Sequence, residues 1–174
     1  LKVPSKTTVG LLGPNGAGKT TFIKCITNLL DFEGKINIFG SSNKDVLKRR
    51  VIGYLAENEG HYSNLTAVEY LKFYSDLYHL DDPREKIIEN LHLVGLHDSR
   101  DDVIKSYSKG MKRRLSIART LLPEPNLIIL DEPLTGLDPK IKHKIVDIIE
   151  KIMTEDRSIL ISSHQLKDIE DICN

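Results

Sequence analysis

The sequence predicts an α/β fold, a mainly parallel sheet flanked by helices and interrupted by a helical lobe, and three observations carry that expectation. TTVGLLG at 7–13 is β-branched and apolar, then gives way to a glycine-rich stretch and a helical pattern over 19–30. LIIL at 127–130 and SILIS at 158–162 are too short for helices and too continuous for half-exposed hairpins, which is how buried parallel strands read. A long amphipathic segment separates these two runs, so together they form a βαβ crossover.

Each element has its own signal. The first strand ends at Gly13, where the glycine-rich stretch makes a tight loop before the first helix. TAVEYLKFYSDLYHL at 66–80 opens with Thr66 and Glu69 at capping-box spacing, and PREKIIENLHLVGL at 83–96 follows an Asp-Asp-Pro break. These segments predict a helical lobe over about 60–120, with the sheet resuming at 127. In the crossover helix Asp138 is the expected N-cap and Pro139 lies in the first turn. Ile141, Ile145, Ile148, Ile149 and Ile152 then fall on one stripe. The expected organisation is one domain over 1–174, the lobe being inserted in the α/β core.

The 25 basic and 25 acidic residues cancel, so no global field attracts a polyanion or an anionic membrane, and any bound anion must be held locally. Apolar runs of about four residues fall far short of the roughly 18–20 that span a bilayer. Cys25 and Cys173 have neither metal-ligand nor C-x-x-C spacing, which suits a reducing compartment, and Cys25 is expected to fill core. The opening residues show no basic stretch followed by an apolar run, so no secretory leader is expected. Lys109, Lys112, Arg113, Arg114 and Arg119 could suggest a nucleic-acid surface, but they alternate with apolar residues and read as a solvated helix face. No nucleic-acid partner is expected.

Gly13-Pro14-Asn15-Gly16-Ala17-Gly18-Lys19-Thr20 fits G-x-x-x-x-G-K-[ST], and it lies where the chemistry needs it, between a strand and a helix. Glycines let successive N–H groups converge, and the helix that follows adds the positive end of its dipole. Lys19 can then reach the β- and γ-phosphates, and the Thr20 hydroxyl can ligate Mg²⁺. Thr21 joins the same nucleotide-binding set. A GTPase or small-molecule kinase would share this loop, but the N-K-x-D guanine motif is absent: Asn43-Lys44-Asp45-Val46 has its acid one position early.

The run LIIL-Asp131-Glu132-Pro133 places two acids at the carboxyl end of a buried strand, the edge where open α/β sheets bind ligands. Asp131 suits Mg²⁺, which prefers one or two carboxylates together with phosphate oxygens. Glu132 would face the γ-phosphate and could orient or deprotonate a water.

With these residues in view the chain resembles the nucleotide-binding domain of ABC (ATP-binding cassette) proteins, along its whole length. The family's motifs occur in order: the phosphate loop at 13–20, a glutamine-loop equivalent YLAEN at 54–58, a signature-like YSKGM at 107–111, Asp-Glu-Pro at 131–133, TGLD at 135–138 and SSH at 162–164. The resemblance implies a P-loop ATPase core with a helical subdomain, ATP and Mg²⁺ as ligands, and Lys19, Glu132 and His164 as catalytic residues. It implies that Glu57, with Thr20 and Asp131, ligates Mg²⁺, and that Ser108 and Gly110 cap the γ-phosphate of ATP held by a second copy. Asp138 would lie on the loop that crosses that head-to-tail dimer. The remaining histidines are expected on the surface.

Three departures mark this copy: Glu57 stands where the family generally has Gln, Lys109 and Met111 flank the signature Gly110, and Leu134 replaces a small polar residue. Glu57 combined with Y-S-K-G-M resembles the ATPase subunits of ABC-2-type exporters, whose membrane subunit is a separate chain. The implied role is to power transport by such a subunit, as a homodimer on the inner, cytoplasmic face of the cell membrane, the helical lobe and the glutamine-loop region forming the groove for it. A non-transport ABC ATPase acting on nucleic acid or the ribosome is the alternative, and its cues, long coiled-coil insertions or paired cassettes, are not seen. The short stretches before Gly13 and after the last predicted strand suggest a chain truncated at both ends, without the aromatic residue that usually stacks on adenine.

Overall fold

Apolar runs become strands here wherever both of their faces can be covered. In the computed structural model, which describes residues 4, 6–45, 52–153 and 157–173, the order is β1 (Thr8–Leu12), α1 (Lys19–Ile26), β2 (Asn37–Ile38), β3 (Ser41–Ser42), β4 (Ile52–Leu55), α2 (Ala67–Leu77), α3 (Arg84–Leu93), α4 (Lys109–Leu121), β5 (Leu127–Asp131), α5 (Pro139–Ile152), β6 (Ser158–Ser163) and α6 (Leu166–Cys173). Short 3₁₀ turns at His97–Ser99 and Ile104–Ser106 lead into α4. The main sheet has the order β1-β6-β5-β4, and every pairing in it is parallel.

Alternation along β5 divides the core in two. Ile128 and Leu130 join Ile159 and Ile161 of β6 in a large cluster with the helices α2 to α6. Leu127 and Ile129, with Leu160 of β6, point the other way onto Ile23 and Ile26 of α1. Both strands are buried from end to end, as continuous apolar runs in a parallel sheet should be. On α5 the predicted stripe faces inward, with Ile145, Ile148, Ile149 and Ile152 buried and Ile141 packed at its edge.

The expected caps form. The Thr66 hydroxyl accepts from the Glu69 N–H at 3.2 Å, and the Glu69 carboxylate accepts from the Thr66 N–H at 2.8 Å. The Asp138 carboxylate accepts from the Ile141 N–H at 3.1 Å, and Ser108 caps α4 through the Met111 N–H at 3.2 Å.

Some elements differ from the expectation. The helix predicted over 19–30 stops at Ile26, because Asn28 takes a left-handed φ of 56° and Asn43 donates to the last carbonyls, Cys25 at 2.7 Å and Ile26 at 3.1 Å. Asn43 is thus engaged in a cap, which gives the near-match to a guanine motif a structural reason. β4 and the small β2–β3 hairpin carried too few residues to show periodicity. Gly53 in β4 is required by a close approach: a β-carbon there would lie 2.6 Å from the Thr120 carbonyl oxygen of α4. Cys25 is partly buried rather than a core residue.

Parallel pairing gathers the strands' carboxyl ends at one edge. Leu12 pairs with Ser163, Asp131 with Ser162 and Leu55 with Leu130, so the segments that follow β1, β4 and β5 emerge side by side. The Gly13 N–H donates to the Ser163 carbonyl at 3.2 Å, fastening the glycine loop to the end of β6.

Candidate nucleotide-binding site

The loop between β1 and α1 turns through Gly16 (φ 82°) and Gly18 (φ 88°), left-handed conformations that glycine adopts without a β-carbon clash. Beside it opens a cavity of about 310 Å³, lined on one side by Asn15, Gly16, Gly18, Lys19, Thr20 and Thr21 and on the other by Glu57, Glu132, Thr135 and His164. Gly13, Pro14 and Ala17 complete the loop, the Ala17 N–H donating to the Pro14 carbonyl at 3.2 Å. A second cavity, of about 290 Å³, lies between α1 and the β2–β3 hairpin and contains none of the predicted site residues.

The Lys19 ammonium donates to the carbonyl oxygens of Gly13 at 2.7 Å and Pro14 at 3.2 Å, and lies 3.2 Å from Glu132 Oε1. Glu132 is buried and left-handed, with φ 49°. Its Oε2 accepts from the Thr135 hydroxyl at 2.7 Å and lies 2.8 Å from Nδ1 of His164. Burial pushes its carboxyl up, but the hydrogen bonds from Thr135, His164 and Lys19 outweigh burial and hold it below the usual carboxylate range. Glu132 is therefore a carboxylate at neutral pH, oriented on one oxygen and ion-paired on the other.

Asp131 has no exposed surface. Its Oδ1 accepts from the Ser162 hydroxyl at 2.5 Å, and the same hydroxyl accepts from the Glu132 N–H at 2.9 Å. Oδ2 is buried without a hydrogen-bond partner among the described residues. A buried carboxylate oxygen left in this way favours a cation, and with the Thr20 hydroxyl and exposed Glu57 on the cavity wall the donors are hard oxygens of the kind Mg²⁺ takes.

Residues 1–135 match the ABC transporter family. The chain belongs to that family. The ABC transporter ATP-binding protein YxlF of Bacillus subtilis is 41% identical over 169 residues, covering 95% of this chain and 56% of the relative. The bacitracin transport ATP-binding protein BcrA of Enterococcus faecalis is 39% identical over 178 residues, covering 100% of this chain and 58% of its own. The daunorubicin/doxorubicin resistance ATP-binding protein DrrA of Streptomyces peucetius is 36% identical over 183 residues, covering 100% and 54% respectively. This chain spans about half the length of these relatives. A solved ATP-binding subunit of an ABC transporter superposes with a TM-score of 0.85 at 32% identity, over 99% of this chain and 74% of that one.

Not every predicted site residue of this ABC chain meets at the cavity. Ser108, Gly110 and Asp138 are not among its lining residues, and Asp131 lies buried behind the wall next to Glu132. Ser108 is exposed at the start of α4, and Asp138 caps α5. Gly110 has a reason within the chain, since a β-carbon there would lie 2.6 Å from Ile141 Cγ2.

Two expectations are corrected. The arginines of α4 are not part of a solvated face, although Lys109 is exposed: Arg113 reaches the carbonyls at the ends of β4 and β5, and Arg114 donates to those of Val94 at 2.7 Å and Gly95 at 2.8 Å. Arg119 pairs with Glu59 at 2.5 Å, and Lys109 donates to the Gly136 carbonyl at 3.0 Å. The cause is position, because the first turns of α4 pass beneath loops whose carbonyls need donors. Nor are the other histidines all on the surface: His61 is half-buried, with its Nε2 2.9 Å from the Ser116 hydroxyl and its ring stacked on Tyr70 at 5.6 Å.

Ser162, Thr135 and Arg113 are members of the site's supporting network to which sequence reasoning gave no part. Ser162 and Thr135 stood inside quoted motifs, and their position beside two acids was the available signal.

Proposed function

We propose that the chain binds ATP with Mg²⁺ in the cavity beside the glycine loop and hydrolyses it, powering transport by a separate membrane-spanning subunit. The observation that carries this reading is the convergence of Lys19, Thr135 and His164 on Glu132 at the rim of a phosphate-loop cavity.

Each residue has a task that follows from its place. N–H groups of the loop and of the first turn of α1 cradle the phosphates, and Lys19 contributes a charge-assisted contact to them. Thr20, Asp131 and Glu57 are the residues that would hold Mg²⁺, which when bound supplies positive charge against the phosphate oxygens. Glu132, ionised and oriented by Thr135 and His164, accepts a proton from the water that attacks the γ-phosphate. Lys19 exchanges its contact with Glu132 for the phosphates, freeing the carboxylate for that water.

Ser108, Gly110 and Asp138 lie outside the cavity and would complete the site of a second, identical copy, two chains closing head to tail over two nucleotides. No described helix is long and apolar enough to cross a membrane. A surface for that partner is offered by exposed Tyr62, Phe73 and Leu77 on and before α2, where Tyr62 and Phe73 meet edge to face at 5.2 Å. The protein would sit on the cytoplasmic face of the membrane as one domain with α2 to α4 as its helical subdomain. Export, in the manner of ABC-2-type systems, is supported by the relatives named for bacitracin transport and for daunorubicin/doxorubicin resistance.

The test is light scattering of the intact protein carrying Glu132→Gln, which should hold the closed state. ATP should drive a dimer and ADP should not. A monomer at saturating ATP and high protein concentration would overturn the composite site.

A further inference from the structure

Arg113 is partly buried on α4, and its guanidinium uses all three nitrogens to donate to main-chain oxygens. Nε donates to Pro133 at 3.0 Å, one terminal nitrogen to Ala56 at 2.6 Å and Glu57 at 3.3 Å, and the other to Asp131 at 2.9 Å and Glu132 at 2.8 Å. These carbonyls belong to two separate segments. Ala56 and Glu57 lie on the loop that leads from β4 toward α2, and Asp131 to Pro133 form the turn that ends β5.

We infer that Arg113 is a positioning residue for hydrolysis, one guanidinium on α4 that locks the loop bearing Glu57 to the turn bearing Asp131 and Glu132. This inference rests on the ATPase reading above. Glu132 needs such a hold, because its φ of 49° is one that β-carbon sterics disfavour, and it must come from surrounding structure. Arg113 supplies it on the carbonyl side while Ser162 holds the N–H side. The fork geometry is specific to arginine, since a lysine ammonium is a compact point donor and cannot span both segments. Among the neighbouring cations of α4 the division of labour is clear: Arg114 caps carbonyls beyond α3, and Arg119 pairs with Glu59. Because Arg113 stands on α4, a displacement of the helices reaches both acids through a single side chain.

The anchoring of the loop does not depend on Arg113 alone. Glu59 accepts from the Ala56 N–H at 3.1 Å and binds Arg119. Arg113→Lys should therefore fold.

The experiment measures turnover per ATP-binding molecule of the intact protein, with binding stoichiometry and Kd taken from titration with labelled MgATP. Arg113→Lys should lower kcat by about tenfold to a hundredfold, the usual cost of a small misplacement near the reacting groups, with Kd for ATP changed by less than about threefold. Single-turnover rates in a Glu132→Gln background provide the second readout. There Arg113→Lys should cost clearly less than it does beside an intact Glu132, because a large part of its effect passes through that carboxylate. Turnover of Arg113→Lys within twofold of wild type, a parallel loss of binding and turnover, or full additivity with Glu132→Gln would each overturn the inference. If Arg113→Lys binds substoichiometrically, Arg113→Gln is measured in the same normalised way and is held to the same criteria. A wild-type protein without ATPase activity would instead overturn the underlying reading, so the two failures are distinct.

Discussion

Replacing Ser162 by Ala removes one hydroxyl that serves both acids at once. The side chain is fully buried, so no water replaces what is lost. Its bond to Asp131 Oδ1, at 2.5 Å, is charge-assisted and contributes about 1.5–3 kcal/mol, and its bond from the Glu132 N–H, at 2.9 Å, contributes about 0.5–1.5 kcal/mol. The Asp131 carboxylate would then have neither oxygen paired among the described side chains, since Oδ2 already lacks a partner. Ser162→Ala should therefore destabilise the protein by about 3 kcal/mol, or about 6–12 °C in Tm for a domain of this size. Urea unfolding without Mg²⁺ is the assay, read as a shift in midpoint at unchanged slope. Turnover should fall too, because Glu132 loses the contact that holds its N–H. A destabilisation under about 1 kcal/mol would show that the hydroxyl carries little of the load assigned to it.

Two other outcomes follow from single side chains. Lys19→Ala should weaken MgATP binding by about tenfold to 150-fold, through loss of a charge-assisted phosphate contact of about 1.5–3 kcal/mol; unchanged affinity in a titration would remove the phosphate-loop assignment. Burial lowers the pKa of His61 below its ordinary value of 6.5, so below that pH the unfolded chain takes up protons that the folded protein resists. Stability should fall as pH drops through that range, and His61→Gln should flatten the fall; equal Tm losses for both proteins between about pH 7.5 and pH 5.5 would contradict this.

How much could be read in advance depended on whether a feature was local. The β5–α5–β6 crossover was legible because apolar runs, an Asp-Pro start and a stripe of isoleucines each carry their own signal within a short window. The glycine loop and the Asp131-Glu132 pair were legible for the same reason. β4 was not, since it is short and holds Gly53, whose reason is Thr120, far along the chain. Arg113 was misread because helical spacing describes which face a side chain starts from and says nothing of carbonyls brought near from residues 56 and 131. The left-handed turn at Glu132 was hidden likewise, as it is held by Ser162 from a strand that arrives later.

Glu132, and not Glu57, is the proposed base for hydrolysis, and steady-state ATPase rates over a Mg²⁺ series on both glutamine variants tell the two acids apart. Glu132→Gln should lower turnover by about 10²–10⁴, the size of a lost general base. Glu57→Gln should cost about tenfold or less and raise the Mg²⁺ needed for half-maximal rate, since an amide oxygen still ligates the ion. A nearly inactive Glu57→Gln beside a mildly affected Glu132→Gln would contradict the account and move the base to the loop after β4.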